Sequence, residues 1–502
     1  MQLTRSILVL LLAVLALRVQ AQAPPVPVRE LSLAQCIALG VTNNRDLQIE
    51  RMNPQISRAS LDATLGVYDP VFSTTLNHTD TATPSLEQFN PATGNISYGS
   101  QNETTSFAPG FSGNLPSGAS YSATGSLSDS ITDASGSRSD TWNSGFNIYV
   151  KQPLLKNLWI DQNRLTIQVN RRNLKQSELQ FLYRLMDIVT QVEGAYYDLV
   201  YTRELLKVGE ATLGVKQRFY EETRRKAEVG TQAELDVKLA ESDVAKIQAD
   251  LVTARNAVVL SENILKGLLG DNIMSQHGVA IRPTDPLLVI PTVPNLLDSW
   301  QRGVSTRPDL LSMKEDVEKA NIQLKYAYNQ LFPQLDLAAS YGRNGIGTGW
   351  WPAVSMLGPS DSDAPKDMIG GTLTIPLSRR TDRANYRNQR AAKAQFIVRL
   401  KQKEESVIKE IDDAAQNVKS SLEKVHATRF ATQYAEAALD AETKKLAAGK
   451  STAYFVLSLQ TSLASAQADE IRAKTDYIKN LATLSFREAS TLDRKHIQVD
   501  IR

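Results

Sequence analysis

The sequence predicts a mainly α fold with shorter β-strand segments, duplicated along the chain, and three observations predict it. Stretches rich in Glu, Lys, Arg, Ala, Leu and Gln alternate with Ser/Thr/Asn/Gly-rich ones in the order β-like, α, β-like, α. The charged texture is that of long helices. The two halves of this order repeat one another, the signature of an internal duplication. Finally, an export signal opens the chain, and beyond residue 23 no stretch is apolar and long enough to cross a bilayer as a helix. A membrane-spanning part would therefore have to be β.

Taken in order, Arg5 precedes the apolar run Ile7 to Leu17, which leads to Ala21-Gln22-Ala23. That is a secretory signal peptide, residues 1–21, with cleavage after Ala21 or Ala23. No Cys stands at the cleavage point, so no lipid anchor is expected. Residues 24–70 read as an N-terminal helical segment ending at Pro70. Residues 71–152 form the first β-like block, in which Phe146, Ile148 and Val150 alternate with polar neighbours. The long Ser/Gly-rich part of this block leaves open whether Thr104 to Asp129 forms an extra hairpin. Residues 153–270 are the first helix pair, 271–332 a segment holding the repeat helix and 333–377 the second β-like block. A second helix pair over 378–490 and a C-terminal tail over 491–502 complete the order. Two strands before each helix block make four per chain, too few to close a barrel alone, so closure needs several chains. A soluble antiparallel sheet would carry the same alternation.

Gly40 to Leu47 matches Gly303 to Leu310 at an offset of 263, and the same offset carries Pro70 onto Pro333 without a gap. Each Pro ends a helical stretch and opens an extended one, as its restraint on the preceding residue favours. Gly230 to Asp250 matches Gly449 to Asp469 at an offset of 219. Behind Gly230, Val237, Ala240, Val244, Ile247, Leu251, Ala254 and Val258 follow the 3-4 spacing of a coiled-coil seam. Val456, Leu459, Leu463, Ala466, Glu470, Ala473 and Tyr477 stand at the matching positions, apolar at all but Glu470. Gly230 and Gly449 are the helix breaks, where Gly past a helix end belongs.

Composition excludes several function classes. Lys and Arg number 56 against 54 Asp and Glu, a balance unsuited to a nucleic-acid binder. The lone Cys36 rules out an intrachain disulfide framework. His78, His277, His426 and His496 are scattered without metal-ligand spacing. Gly342 to Gly349 lacks the Lys-Ser/Thr of a phosphate loop. Pairs such as Asp412-Asp413 read as solvated helix faces. Three glycosylation sequons, at Asn77, Asn95 and Asn102, arise by chance in so Asn- and Ser/Thr-rich a segment. No catalytic constellation emerges, no cofactor or metal site is expected, and the protein is read as not an enzyme.

With the repeat in view, the chain resembles the TolC-like outer membrane efflux protein family. The residues that carry the resemblance are Leu31-Ser32-Leu33, Asn43-Asn44, Asp46-Leu47, Tyr68-Asp69-Pro70 and Gln152-Pro153-Leu154-Leu155. In the second half they are Thr306 to Leu310, Phe332-Pro333, Ile375-Pro376-Leu377 and the two glycine-led seams. The resemblance implies a homotrimer with a 12-stranded outer-membrane β-barrel, four strands per chain, continued by a long periplasmic α-helical coiled-coil barrel, with residues 24–70 and 271–332 as equatorial segments. It implies a passive exit duct of a tripartite efflux or type I secretion system, with a periplasmic adaptor, an inner-membrane pump and outer-membrane lipid as partners. It also implies a periplasmic aperture where each seam begins, at Asp236, Lys450, Ser451, Phe455 and Ser458. Phe455 and Ser458 replace acidic residues of the best-known member and Ser451 replaces its linking basic residue, so a carboxylate ring is not assumed. Lys450 is a candidate partner for Asp236. The competing readings are a periplasmic adaptor or scaffold with coiled-coil hairpins and a secreted coiled-coil adhesin. Neither accounts for two hairpins each preceded by strands.

Overall fold

A computed structural model of the full chain describes residues 27–498 apart from 85–87, 90–95, 98, 135–136, 271–273, 275–277 and 358–363. The expected signal peptide, His277 and the start of the Asn95 sequon lie outside the described residues. In chain order the elements are β1 (Val28–Leu31), α1 (Leu33–Asn43), α2 (Arg45–Leu65), β2 (Val71–Thr83), β3 (Ser100–Asn114), β4 (Ser120–Ala134) and β5 (Ser137–Pro153). The helix pair α3 (Gln162–Glu228) and α4 (Glu234–Leu269) follows. The second half has β6 (Ala280–Pro283), α5 (Leu296–Thr306), α6 (Pro308–Asn329), β7 (Gln334–Gly347), α7 (Trp350–Ser355) and β8 (Ala364–Thr374). The pair α8 (Arg380–Ala447) and α9 (Ala453–Arg487), then the short α10 (Thr491–Arg494), close it. Each half thus runs two shorter helices, strands, then a long helix pair. Among the described residues no helix is long and apolar enough to cross a membrane.

The chain divides into two compact units, one of which comprises residues 53–179 and 311–403. Its centre is a six-stranded antiparallel sheet in the order β8-β7-β5-β4-β3-β2. The expected share of four strands is therefore short by two, and the missing two are the hairpin over Thr104 to Asp129. The sequence leaves this hairpin open because Ala, Gly, Pro and Ser fill most positions between Thr104 and Asp129, with few large apolar residues to mark the alternation. In register, Phe72 pairs with Phe111, Leu76 with Phe107, Phe107 with Leu127, and Ala123 with Ile148. Because strand side chains alternate between faces, these residues share one face with Phe146, Val150 and Tyr341. Their neighbours Ser73, Thr75, Ser106, Ser122, Thr124, Ser126 and Asn147 share the other. One face is apolar and the other small and polar.

The helix α7 packs back onto this sheet, where Ser144 Oγ donates to the Ala353 carbonyl at 2.6 Å. Gly345 is required there, since a Cβ would stand 2.1 Å from the Ala353 carbonyl oxygen. In the same unit the start of α3 is tied to α6. Arg172 and Lys175 lie 3.0 and 2.7 Å from Glu315, while Gln176 Nε2 donates to Asp316 at 2.8 Å. Burial alone would raise the Glu315 carboxyl, but bonds from Lys175 and Arg172 outweigh it and hold the group below the usual range.

The other unit comprises residues up to 52, 180–310 and 404 onward. Two apolar cores hold it, one around Cys36, Leu47, Leu185, Val189, Tyr196 and Leu265, the other around Val407, Ile411, Val418, Ala473 and Tyr477. The strands β1 and β6 pair in parallel, Val28 opposite Ala280. Repeat-related residues do equivalent work here. Gly40 meets the Val192 side chain and Gly303 meets Ile411, each letting a short helix approach a long one. Leu47 and Leu310 are both fully buried. Between these pairs the copies diverge. Asn44 receives the Leu47 N–H on its side chain at 3.1 Å, whereas its counterpart Arg307, 2% exposed, makes ion pairs to Asp309 at 2.8 Å and Glu410 at 2.6 Å.

Candidate functional site: the helix-hairpin tips

The coiled-coil seams form as their spacing predicts. Every seam position from Val237 to Val258 and from Val456 to Tyr477 is buried or half-buried, with Ala240, Leu251, Val456, Ala473 and Tyr477 nearly inaccessible. Glu470 keeps its place by pairing with Lys474, 2.7 Å away on the next turn.

The ends of the long helices are built alike. At Gly230 φ is +75°, and at Gly449 it is +72°, the left-handed region that glycine enters without Cβ strain. The Gly230 N–H donates to Ala227 and the Thr231 N–H to Lys226. The Gly449 N–H donates to Leu446 and the Lys450 N–H to Lys445. Both are Schellman closures, which satisfy the last carbonyls of α3 and α8 and reverse the chain. Duplication has preserved the glycine conformation and this pair of closing bonds.

The sequence-predicted aperture residues sit around these turns without forming one cluster. Asp236 is half-buried in the first turn of α4, where a carboxylate complements the helix dipole. Lys450 is exposed, and among the described residues no ion pair joins it to Asp236. Ser451 donates its hydroxyl to Glu442 within its own helix pair. That bond, reinforced by Lys445 at 3.0 Å, holds the Glu442 carboxyl below its ordinary range. Phe455 is exposed and packs edge-on against Tyr454 with centroids 5.8 Å apart. Ser458 is exposed one turn further along α9. At the other end of the equatorial repeat, Pro70 immediately precedes β2, and Pro333 precedes β7 while its carbonyl accepts from Lys156.

The link between the two hairpins comes from residues the sequence did not single out. Lys216, on α3 and only 7% exposed, places its Nζ 3.0 Å from Asp243 on α4 and 3.2 Å from Thr461 Oγ1 on α9. A buried ammonium needs such partners. Further along, Lys479 of α9 bonds both oxygens of Asp198 of α3 at 2.8 Å. Lys216 stands among ordinary helical residues, and nothing in its spacing signals an interhelix role. Beside it, a cavity of about 340 Å³ opens among Phe219, Thr223, Gln232, Leu446, Val456 and Gln460. The Gln460 Oε1 there is buried without a hydrogen-bond partner. The arrangement places charges and packing between helices, and among the described residues no group of three His, Cys, Asp or Glu is set to hold a metal.

The profile of the family described as Outer membrane efflux protein matches residues 112–271 and 301–486. The chain belongs to that family. The two matched stretches each hold a long helix pair, so the family pattern is itself met twice. The chain is 23% identical over 363 residues to the outer membrane protein TolC of Vibrio cholerae, covering 71% of this chain and 78% of that one. Its fold is similar to that of the outer membrane protein VceC of Vibrio cholerae, with a TM-score of 0.63 at 16% identity over 91% of this chain and 95% of that one. The CmeC outer membrane channel of Campylobacter jejuni gives a TM-score of 0.65 at 15% identity, over 93% and 90%. The family is one of outer-membrane efflux ducts, and this chain carries its duplicated mainly α architecture with a membrane-type β-sheet.

Proposed function

We propose that three copies of this chain form a passive exit duct in the outer membrane of a Gram-negative-type cell, extending into the periplasm and receiving cargo from an adaptor and an inner-membrane pump. The observation that carries this reading is the sheet: one face apolar, one polar, with β2 and β8 as open edges. Its six strands alternate in direction, so the edge strands of successive copies meet antiparallel and a ring of chains closes. Closure removes the exposed edges that a single chain leaves, and lipid accepts only such a closed sheet or helices. The β blocks over 71–152 and 333–377 supply the wall. The helix pairs over 153–270 and 378–490 supply the periplasmic conduit, exported behind the signal peptide 1–21.

The aperture is assigned to the hairpin tips at Asp236, Lys450, Ser451, Phe455 and Ser458, with Gly230 and Gly449 at the turns. Adaptor docking is assigned to the same tips, where Val229, Leu235, Tyr454 and Phe455 are exposed at 73, 69, 63 and 56%. Apolar groups gathered on a surface mark protein contacts. A secreted adhesin or a free periplasmic adaptor leaves the apolar sheet face without a role. The test is reconstitution of the purified protein in planar bilayers after recovery from the outer-membrane fraction. A trimer that conducts supports the reading. Soluble periplasmic material, or a membrane trimer that stays silent even with the tips loosened by substitution at Asp236 and Phe455, overturns it.

A further inference from the structure

We propose that the β3–β4 hairpin is part of the barrel wall, so each chain contributes six strands and the trimer closes an eighteen-stranded barrel rather than one of twelve. The proposal rests on the duct reading above. Three observations carry it. First, β3 and β4 stand between β2 and β5 in the sheet order, so β2 reaches the rest of the wall only through them. A hairpin folded away as a surface loop would leave β2 and β5 adjacent.

Second, the pairing is continuous. β2 matches β3 from Val71–Ser112 to Thr83–Ser100, and β4 matches β5 from Ser120–Lys151 to Ala134–Ser137. At 15 residues each, both strands exceed the roughly 9–11 that a tilted membrane strand needs.

Third, the hairpin keeps the two-faced pattern of its neighbours in phase. Phe107, Pro109, Phe111, Tyr121, Ala123 and Leu127 fall on the face of Phe72, Leu76, Phe146 and Ile148, while Ser106, Ser122, Thr124 and Ser128 fall on the other. Tyr121 to Leu127 alone spans about 20 Å along the strand at ~3.4 Å per residue. Beyond it Glu103, Asp129 and Asp140 enter that face beside Ile131 and Trp142, where the continuous apolar band gives way to a mixed rim. A loop in water has no need of an apolar face aligned with the wall.

Barrel diameter grows roughly linearly with strand number, so eighteen strands in place of twelve widen the bore about 1.5-fold and its cross-section about 2.2-fold. The polar face that lines it is built largely of Ser, Thr, Gly and Asn, short side chains that leave this width open.

The test uses the full chain in proteoliposomes, with single cysteines at three register-matched pairs: Leu76→Cys and Asn77→Cys in β2, Phe107→Cys and Ser106→Cys in β3, Leu127→Cys and Ser128→Cys in β4. The native Cys36 is fully buried and the unsubstituted protein gives the background. Labelling by a membrane-impermeant maleimide is expected to run at least tenfold faster at Asn77, Ser106 and Ser128 than at Leu76, Phe107 and Leu127. Alternation in β2 with equal labelling on both faces of β3 and β4 overturns the proposal and leaves the duct intact. Absence of alternation in β2 as well overturns the duct reading and the proposal together. A second measurement compares the largest polymer-linked maleimide that reaches Ser340→Cys, on the polar face, with and without deletion of residues 100–136. The size limit is expected to fall about 1.5-fold in radius on deletion, and an unchanged limit overturns the proposal.

Discussion

Replacing Lys216 by methionine tests whether the interhairpin link holds the duct closed. Methionine matches the lysine stem in length and removes only the charge and its donors. The wild-type ammonium makes two bonds, 3.0 Å to Asp243 and 3.2 Å to Thr461. Each charge-assisted bond is worth about 1.5–3 kcal/mol. Against this, a side chain 7% exposed pays to be buried as an ion, whereas Asp243 keeps 33% exposure and rehydrates once abandoned. The two effects leave about 1.5 kcal/mol per chain in favour of the linked state. Lost in a two-state tip, that is roughly a tenfold rise in the open-to-closed ratio per chain. Single-channel recording in planar bilayers reads it as open probability, with Lys216→Met expected to increase it at least tenfold. Thr461→Val, which removes the bond reaching the second hairpin together with a local one from Thr461 to the Leu457 carbonyl, is expected to raise it about fivefold, in line with ~1 kcal/mol for the interhelix bond. Trimers of both variants that melt like wild type and gate like wild type would refute the role of this link.

Four further outcomes follow from the same structure. Gly449→Ala and Gly230→Ala force a Cβ into the left-handed region at φ +72° and +75°, costing about 1–2 kcal/mol each. The loss is expected locally, as faster hydrogen exchange at residues 226–234 and 445–453. Gly270→Ala is harsher, because its Cβ would stand 2.1 Å from the Asn43 carbonyl oxygen at φ +71°. A thermal melt is expected to show at least ~2 kcal/mol lost, if the protein accumulates at all.

The Glu410 carboxyl is held low: burial alone would raise it, but the bond and charge of Arg307, then the charge of Arg487, outweigh that. Its contribution is present above the unfolded value near ~4.3 and disappears as pH falls through the lower folded value. Glu410→Gln is therefore expected to lose about 1–3 kcal/mol at pH 7 and little at pH 3, read from melts across that range. Phe455→Ala is expected to weaken adaptor binding about tenfold, as loss of one exposed aromatic anchor does, in a pull-down or surface-binding assay with the trimer intact.

Much of this protein was legible in its chain because its signals are local and repeated. The 3-4 spacing behind Gly230 and Gly449 forces a helix to present one apolar stripe, and in the structure every position of that stripe is buried or half-buried. Gly at a helix end and Pro before a strand act through their own backbone dihedrals, so Gly230, Gly449, Pro70 and Pro333 could be read one residue at a time. The offset between Gly40 and Gly303 exposed the duplication without any knowledge of contacts. Tertiary structure decided what depends on partners distant in sequence. The β3–β4 hairpin joins the sheet because Phe107 finds Leu76 and Leu127 as neighbours, pairings that a Ser/Gly-rich strand does not announce. Lys216 acquires its role only when α9 brings Thr461 to it across 245 positions. Asp236 and its candidate partner Lys450 form no ion pair with each other among the described residues. Periodicity determines which face of an element is buried; only the fold determines what it is buried against.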